Sequence, residues 1–153
     1  MSREEAVRAR TRLRRFWATL AGLARRLRPR SADDYLGRGL DRQLKGDLTG
    51  AIADYQRAIA DSGDRHSRAM ALLTLGNALE EQEDLLGAVE AYSQAIVYDP
   101  GHAGTYLSRG LAYQNLGDEE RARADLELVR ELTSDPKWRQ QAEEQLRVLR
   151  HRA

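Results

Sequence analysis

The sequence contains no cysteine. That excludes disulfide frameworks, thiol nucleophiles and zinc sites built on thiolates, and it agrees with a reducing compartment. Proline is nearly as scarce, with three in 153 residues, and aromatics make up 6%. Such a composition fits neither a strand-rich core nor a proline-rich disordered tail. Long apolar runs are missing near the N-terminus, where the uncharged run Phe16–Ala24 covers nine residues against the ~20 that a bilayer span needs. The same run is too short for a secretory signal, although a basic start and the small residues Gly22 and Ala24 accompany it. His66, His102 and His151 stand far apart with no metal-ligand spacing. No glycine-rich loop is placed to cradle a phosphate, and at this charge density the carboxylates read most simply as a solvated surface. The expectation is therefore of no catalytic residues, no cofactor, no metal and no enzyme activity.

Ala, Leu, Arg and Glu dominate, and all four favour helix. With 41% hydrophobic and 32% charged residues, one soluble domain with a buried core is within reach. The net charge of +1 conceals an asymmetry: ten arginines less Glu4 and Glu5 give residues 1–30 a charge of +8, which leaves −7 on the rest. A basic arm on an acidic body bears on partners rather than on fold.

The chain repeats itself. Ala69–His102 and Ala103–Pro136 align without a gap at a period of 34, and Ala32–Arg65 forms a third copy once His66, Ser67 and Arg68 are set aside as an insertion. Gly39, Gly76 and Gly110 recur in the first half of each copy. In the second half come Ala51, Ala88 and Ala122, then Tyr55, Tyr92 and Leu126, then Ala58, Ala95 and Val129. Small residues at fixed places predict two antiparallel helices in close approach, with the Tyr/Leu position filling the gap to the next copy. Asp47, Asp84 and Asp118 stand where N-caps are needed, and Gly46 and Gly117 where a helix ends on a left-handed residue. The copies predict helix pairs over about 33–45 with 48–62, 69–82 with 85–98, and 103–116 with 119–133.

In its best copy, Leu72, Leu75, Gly76, Leu79, Ala88, Tyr92, Ala95, Asp99 and Pro100 make the pattern resemble the tetratricopeptide-repeat (TPR) family, over residues 32–136. The resemblance implies an all-α fold, a right-handed superhelical solenoid of three helix pairs. Arg38, Arg42 and Arg109 depart from it, standing where the family prefers Leu or an aromatic, and the first copy lacks the closing Asp-Pro. The first copy thus reads as a less regular, end-exposed repeat.

Each end carries a further helix, giving three segments: residues 1–30, the repeats to 136, and 137–153. Pro136, preceded by Asp135, opens a last helix with Trp138, Ala142, Leu146 and Leu149 on one stripe, as a capping helix requires. From Glu4 to Leu27 a basic amphipathic helix is predicted, ended by Pro29; Ser31 and Asp34 form a capping pair for the first repeat. Its apolar face presents Leu13, Phe16, Trp17 and Leu20, with Arg14, Arg15, Arg25 and Arg26 on the flanks. This arm suits an anionic membrane surface, a docking site on protein (its own acidic groove or another subunit), or a cap on the first repeat. Nothing in the body continues the basic patch, which weighs against nucleic acid.

The resemblance implies that the first helix of each repeat lines a concave groove. Carried to matching positions, the lining is Leu36, Leu40, Gln43 and Leu44; Met70, Leu73, Asn77, Glu80 and Glu81; and Leu107, Leu111, Gln114 and Asn115. Some family members hold acidic chaperone tails with lysines at these positions, and no lysine stands there in this chain. An apolar floor beside acidic residues predicts a protein or peptide partner, a helix or extended segment with basic residues. The function expected is that of a scaffold or adaptor, cytoplasmic, with peripheral association on the cytoplasmic face of a membrane if the arm engages lipid.

Overall fold

The structure, a computed structural model, describes residues 13–15, 17–19 and 31–152. The chain divides into two units, residues 1–30 and 31–153. In the first, residues 13–15 and 17–19 are helical. In the second, seven helices follow one another: α1 (Ala32–Leu44), α2 (Leu48–Asp61), α3 (Arg65–Glu81), α4 (Leu85–Tyr98), α5 (Ala103–Asn115), α6 (Glu119–Leu132) and α7 (Pro136–Arg152).

Side-chain caps fix where these helices begin. Asp47, Asp84 and Asp118 accept from the backbone N–H of Gly50, Gly87 and Arg121, as their spacing predicts. Ser31 and Asp34 form a reciprocal capping box on α1. Gly46 and Gly117 adopt the left-handed conformation at φ +81° and +80°, and in the second repeat Glu83 takes the same role at φ +68°. One boundary differs from expectation. His66, Ser67 and Arg68, set aside in the repeat alignment as an insertion, belong to an extra N-terminal turn of α3, because Asp64 accepts from Ser67 N–H and starts the helix early. Those hydrogen bonds hold the Asp64 carboxyl below the usual carboxylate range.

Adjacent helices pack in chain order, α1 on α2, α2 on α3 and so on to α7. Ala51, Ala88 and Ala122 are fully buried, as are Tyr55, Tyr92 and Leu126. The repeated glycine makes room for the aromatic ring rather than for the facing backbone. A Cβ on Gly39 would stand 2.5 Å from Tyr55 Cε1, and one on Gly76 would collide with the Tyr92 ring. Gly110 faces Leu126 instead, and the corresponding contact relaxes to 3.3 Å.

The departures at Arg38 and Arg109 are explained by the residue preceding Tyr55 and Leu126. Arg38 pairs with Asp54, and Arg109 Nε and Nη2 each reach Asp125 at 2.8 Å. Both aspartates are almost wholly buried. The second repeat replaces this ion pair with Leu75 and Ala91, both buried. Arg38 bonds Asp54 through Nε and Nη2, and Arg42 adds a third hydrogen bond to it at 3.0 Å. At the other end, α7 contributes Ala142, Leu146 and Leu149 to a core cluster with Tyr106, Leu126 and Val129, and Trp138 packs against it.

Candidate functional site

Short connections reverse the chain after every helix, so α1, α3 and α5 run in one direction and α2, α4 and α6 in the other. α1 touches α3 and α3 touches α5, whereas among the described residues α2 does not reach α4, nor α4 α6. A row of helices that approach one another on one side and spread on the other is curved. The concave side is therefore the row α1, α3, α5.

Along that row the candidate residues fall into three states. Leu40 is 51% exposed, Leu44 81% and Met70 36%. Leu36, Leu73 and Leu111 are half-buried, each packed against a core cluster while keeping an outer surface. Leu107 corrects the sequence reading: at 3% exposure it belongs to the core with Ala142, Leu146 and Leu149. The reason lies in α7, whose Trp138 sits over Gly104, one turn before Leu107, and closes that part of the face.

The polar members are held in place by the buried tyrosines. Tyr55 donates its hydroxyl to Gln43 Oε1 at 2.7 Å, and Gln43 Nε2 donates across to Glu81 on α3 at 2.6 Å. Tyr92 OH lies 2.9 Å from Asn77 Oδ1 and 3.0 Å from Glu80 Oε2. Burial pushes both phenol pKa values up, and the charges of Glu80 at Tyr92 and Glu81 at Tyr55 push them further. Ion pairs are frequent elsewhere on this chain, but no cation among the described residues pairs with Glu80 or Glu81. In the third repeat Leu126 stands at the tyrosine position and offers no hydroxyl to Gln114 or Asn115. This buttressing role of the tyrosines was missed at the level of sequence. Its signal is the Tyr–x–x–Ala motif sixteen residues after a glycine, which marks packing and leaves the direction of the hydroxyl open.

Of the residues assigned to the N-terminal arm, Leu13 is 55% and Trp17 64% exposed, with Arg14 and Arg15 also exposed. Phe16, Leu20, Arg25 and Arg26 lie outside the described residues. Among the described residues no group of three His, Asp or Glu is placed to hold a metal, and no helix is long and apolar enough to cross a membrane.

Comparison with known proteins gives the following. Residues 76–117 match the family described as TPR repeat, and residues 103–136 the family described as tetratricopeptide repeat. No curated protein matches the sequence significantly. Among solved structures, the second TPR domain of the human RPAP3 protein, in complex with the HSP70 peptide SGPTIEEVD, is 27% identical. That similarity covers 78% of this chain and 94% of that one, with a TM-score of 0.68. The MamA protein is 30% identical over 67% of this chain and 54% of its own, with a TM-score of 0.62. The Yersinia enterocolitica type III secretion chaperone SycD, in complex with a peptide of the translocator YopD, shares the fold at 16% identity and a TM-score of 0.71, over 78% and 92% of the two chains.

Proposed function

The chain carries tetratricopeptide repeats, and from that premise we propose that it is a non-enzymatic adaptor holding a segment of a protein partner on its concave face. One observation carries the reading. Glu80 and Glu81 are oriented by neutral donors, Tyr92 and Gln43, and no cation among the described residues pairs with them, while Leu40, Leu44 and Met70 expose apolar surface on the same row of helices. Donors that are neutral leave the full negative charge available, and prior orientation lowers the entropic cost of binding a cation. The RPAP3 domain is bound to a peptide ending in EEVD. An acidic end placed against Glu80 and Glu81 would meet like charge, so the same fold here favours a segment with lysine or arginine.

Selection from a random displayed peptide library on the full chain tests this. The expected result is enrichment of peptides combining apolar and basic residues, whose binding is lost with Leu40→Asp and weakened by Glu80→Lys/Glu81→Lys. Peptides that bind both variants as well as the parent would show that another surface is used.

A second reading concerns the arm, and the outer edge of α1 favours it. Where the later repeats bury Ala71 and Thr105, then Ala78 and Ala112, against the preceding helix, the first repeat has Asp34 and Asp41, both exposed. Asp34 is engaged by Ser31, and Asp41 by Lys45 at 2.7 Å. In the arm itself Leu13 and Trp17 are exposed, and its apolar face with flanking arginines suits a lipid surface, at the cytoplasmic side of a membrane. Each basic residue near an anionic surface contributes about 1 kcal/mol before screening. Full-length protein should sediment with anionic vesicles at low salt and a chain beginning at Ser31 should not; no sedimentation of the folded full-length protein would remove this reading.

A further inference from the structure

The concave face is divided across its width. Because α1, α3 and α5 run the same way, residues one or two turns from their starts fall along one edge, and residues of their last turns along the other. The first edge carries Leu36 of α1 and, level with it in the repeat register, Leu73 of α3, with Met70 about one turn earlier; Leu40 lies in the middle row, level with Asn77, and all four apolar side chains have surface open to solvent. On the second stand Gln43 of α1, then Glu80 and Glu81 of α3, then Gln114 and Asn115 of α5. Leu44 is the exception, an exposed apolar residue at the end of α1. Met70 and Glu81 lie on one face of α3 and are separated by about 16 Å along its axis. The polar edge is also where three helices end, and each C-terminus places roughly half a negative charge there. Helix geometry and side chains therefore give that edge the same sign.

We propose that the occupant of this face is an amphipathic basic helix lying across α1, α3 and α5, with its apolar stripe over Leu36, Leu40, Met70 and Leu73 and its Lys/Arg stripe on the Glu80–Glu81 edge. This rests on the adaptor reading and adds to it the form and orientation of the bound segment. An extended tail held by its end would need one charged clamp. Two parallel edges of opposite character instead match a helix whose apolar and charged residues are segregated along its whole length. Residues 31–153 carry −7, so the field of this unit favours the same partner as its local contacts.

The experiment uses three labelled synthetic peptides of about 18 residues, five helical turns, with fluorescence anisotropy on the full chain. The first, of Leu, Ala and Lys, segregates its apolar and basic faces; the second has the same composition shuffled; the third has Glu in place of Lys. The segregated lysine peptide should bind at least tenfold more tightly than the other two. Glu80→Lys/Glu81→Lys should weaken it at least tenfold and improve binding of the glutamate peptide, and Leu40→Asp should weaken it as well. Unchanged helical circular dichroism and melting temperature confirm that each variant is folded. Equal binding of the shuffled and segregated peptides, both sensitive to Leu40→Asp, overturns this inference and leaves the adaptor reading standing. Binding that ignores Leu40→Asp, or no binding of any of the three, overturns the inference; the first of these also removes the concave face from the adaptor reading.

Discussion

At the residue scale, Glu83 is the one non-glycine among the described residues with a left-handed backbone. It adopts φ +68° where the other two copies place Gly46 and Gly117, and a left-handed conformation costs an L-residue about 1–2 kcal/mol. Part of that is offset because glycine loses more backbone entropy on folding. Glu83→Gly is therefore expected to raise stability by about 0.5–1 kcal/mol, read as a higher thermal midpoint by circular dichroism. The glycines under the tyrosine rings act in the opposite sense. Gly76→Ala should cost about 1–3 kcal/mol, since its methyl would enter the Tyr92 ring. Gly110→Ala, facing Leu126 at 3.3 Å, should cost clearly less. Equal losses in chemical denaturation would show that the ring is not what the glycine accommodates. The 34-residue register makes these positions visible in the sequence. That the small residue clears space for a ring, and that the ring's hydroxyl then orients Gln43, Asn77 and Glu80, follows only from side-chain direction.

At the scale of elements, the repeats solve one packing problem in two ways. Arg109 and Asp125 meet between α5 and α6, where α3 and α4 place Leu75 and Ala91. The Asp125 hydrogen bond, with the charge behind it, raises the Arg109 pKa despite its partial burial. Removing one partner of such a pair strands a buried charge, so Asp125→Ala or Arg109→Ala is expected to cost about 3 kcal/mol or more in denaturant unfolding. The double change Arg109→Leu/Asp125→Ala copies the second repeat and should recover most of that loss. A double variant as unstable as the sum of the singles would show that the two sites are not interchangeable. From sequence, the arginines are departures from a family pattern; the partner sixteen residues on becomes evident only when the first and third copies are set beside the second. Helix ends were legible where an aspartate stood before a periodic stretch. The start of α3 was not, because the repeat alignment treated His66–Arg68 as an insertion and left Asp64 and Ser67 without a role. The stripe Trp138, Ala142, Leu146 and Leu149 was plain in the sequence, but not that α7 would bury Leu107 and remove it from the groove.

At the scale of the whole molecule, a row of parallel first helices on the inside and spreading second helices on the outside leaves a concave face as the place where a partner segment meets several repeats at once. Its amide side chains give a direct report on occupancy. Gln43, Asn77, Gln114 and Asn115 come from three different helices of that face, and their side-chain NH2 signals are resolved from the backbone in a nitrogen–proton correlation spectrum. A peptide recovered by selection on the full chain should be titrated into isotope-labelled protein. The adaptor account predicts that these four side-chain signals shift together, with the backbone amides of α1, α3 and α5, while the exposed faces of α2, α4 and α6 stay in place. Shifts confined to α2, α4 and α6, with the four amide pairs unmoved, would contradict it.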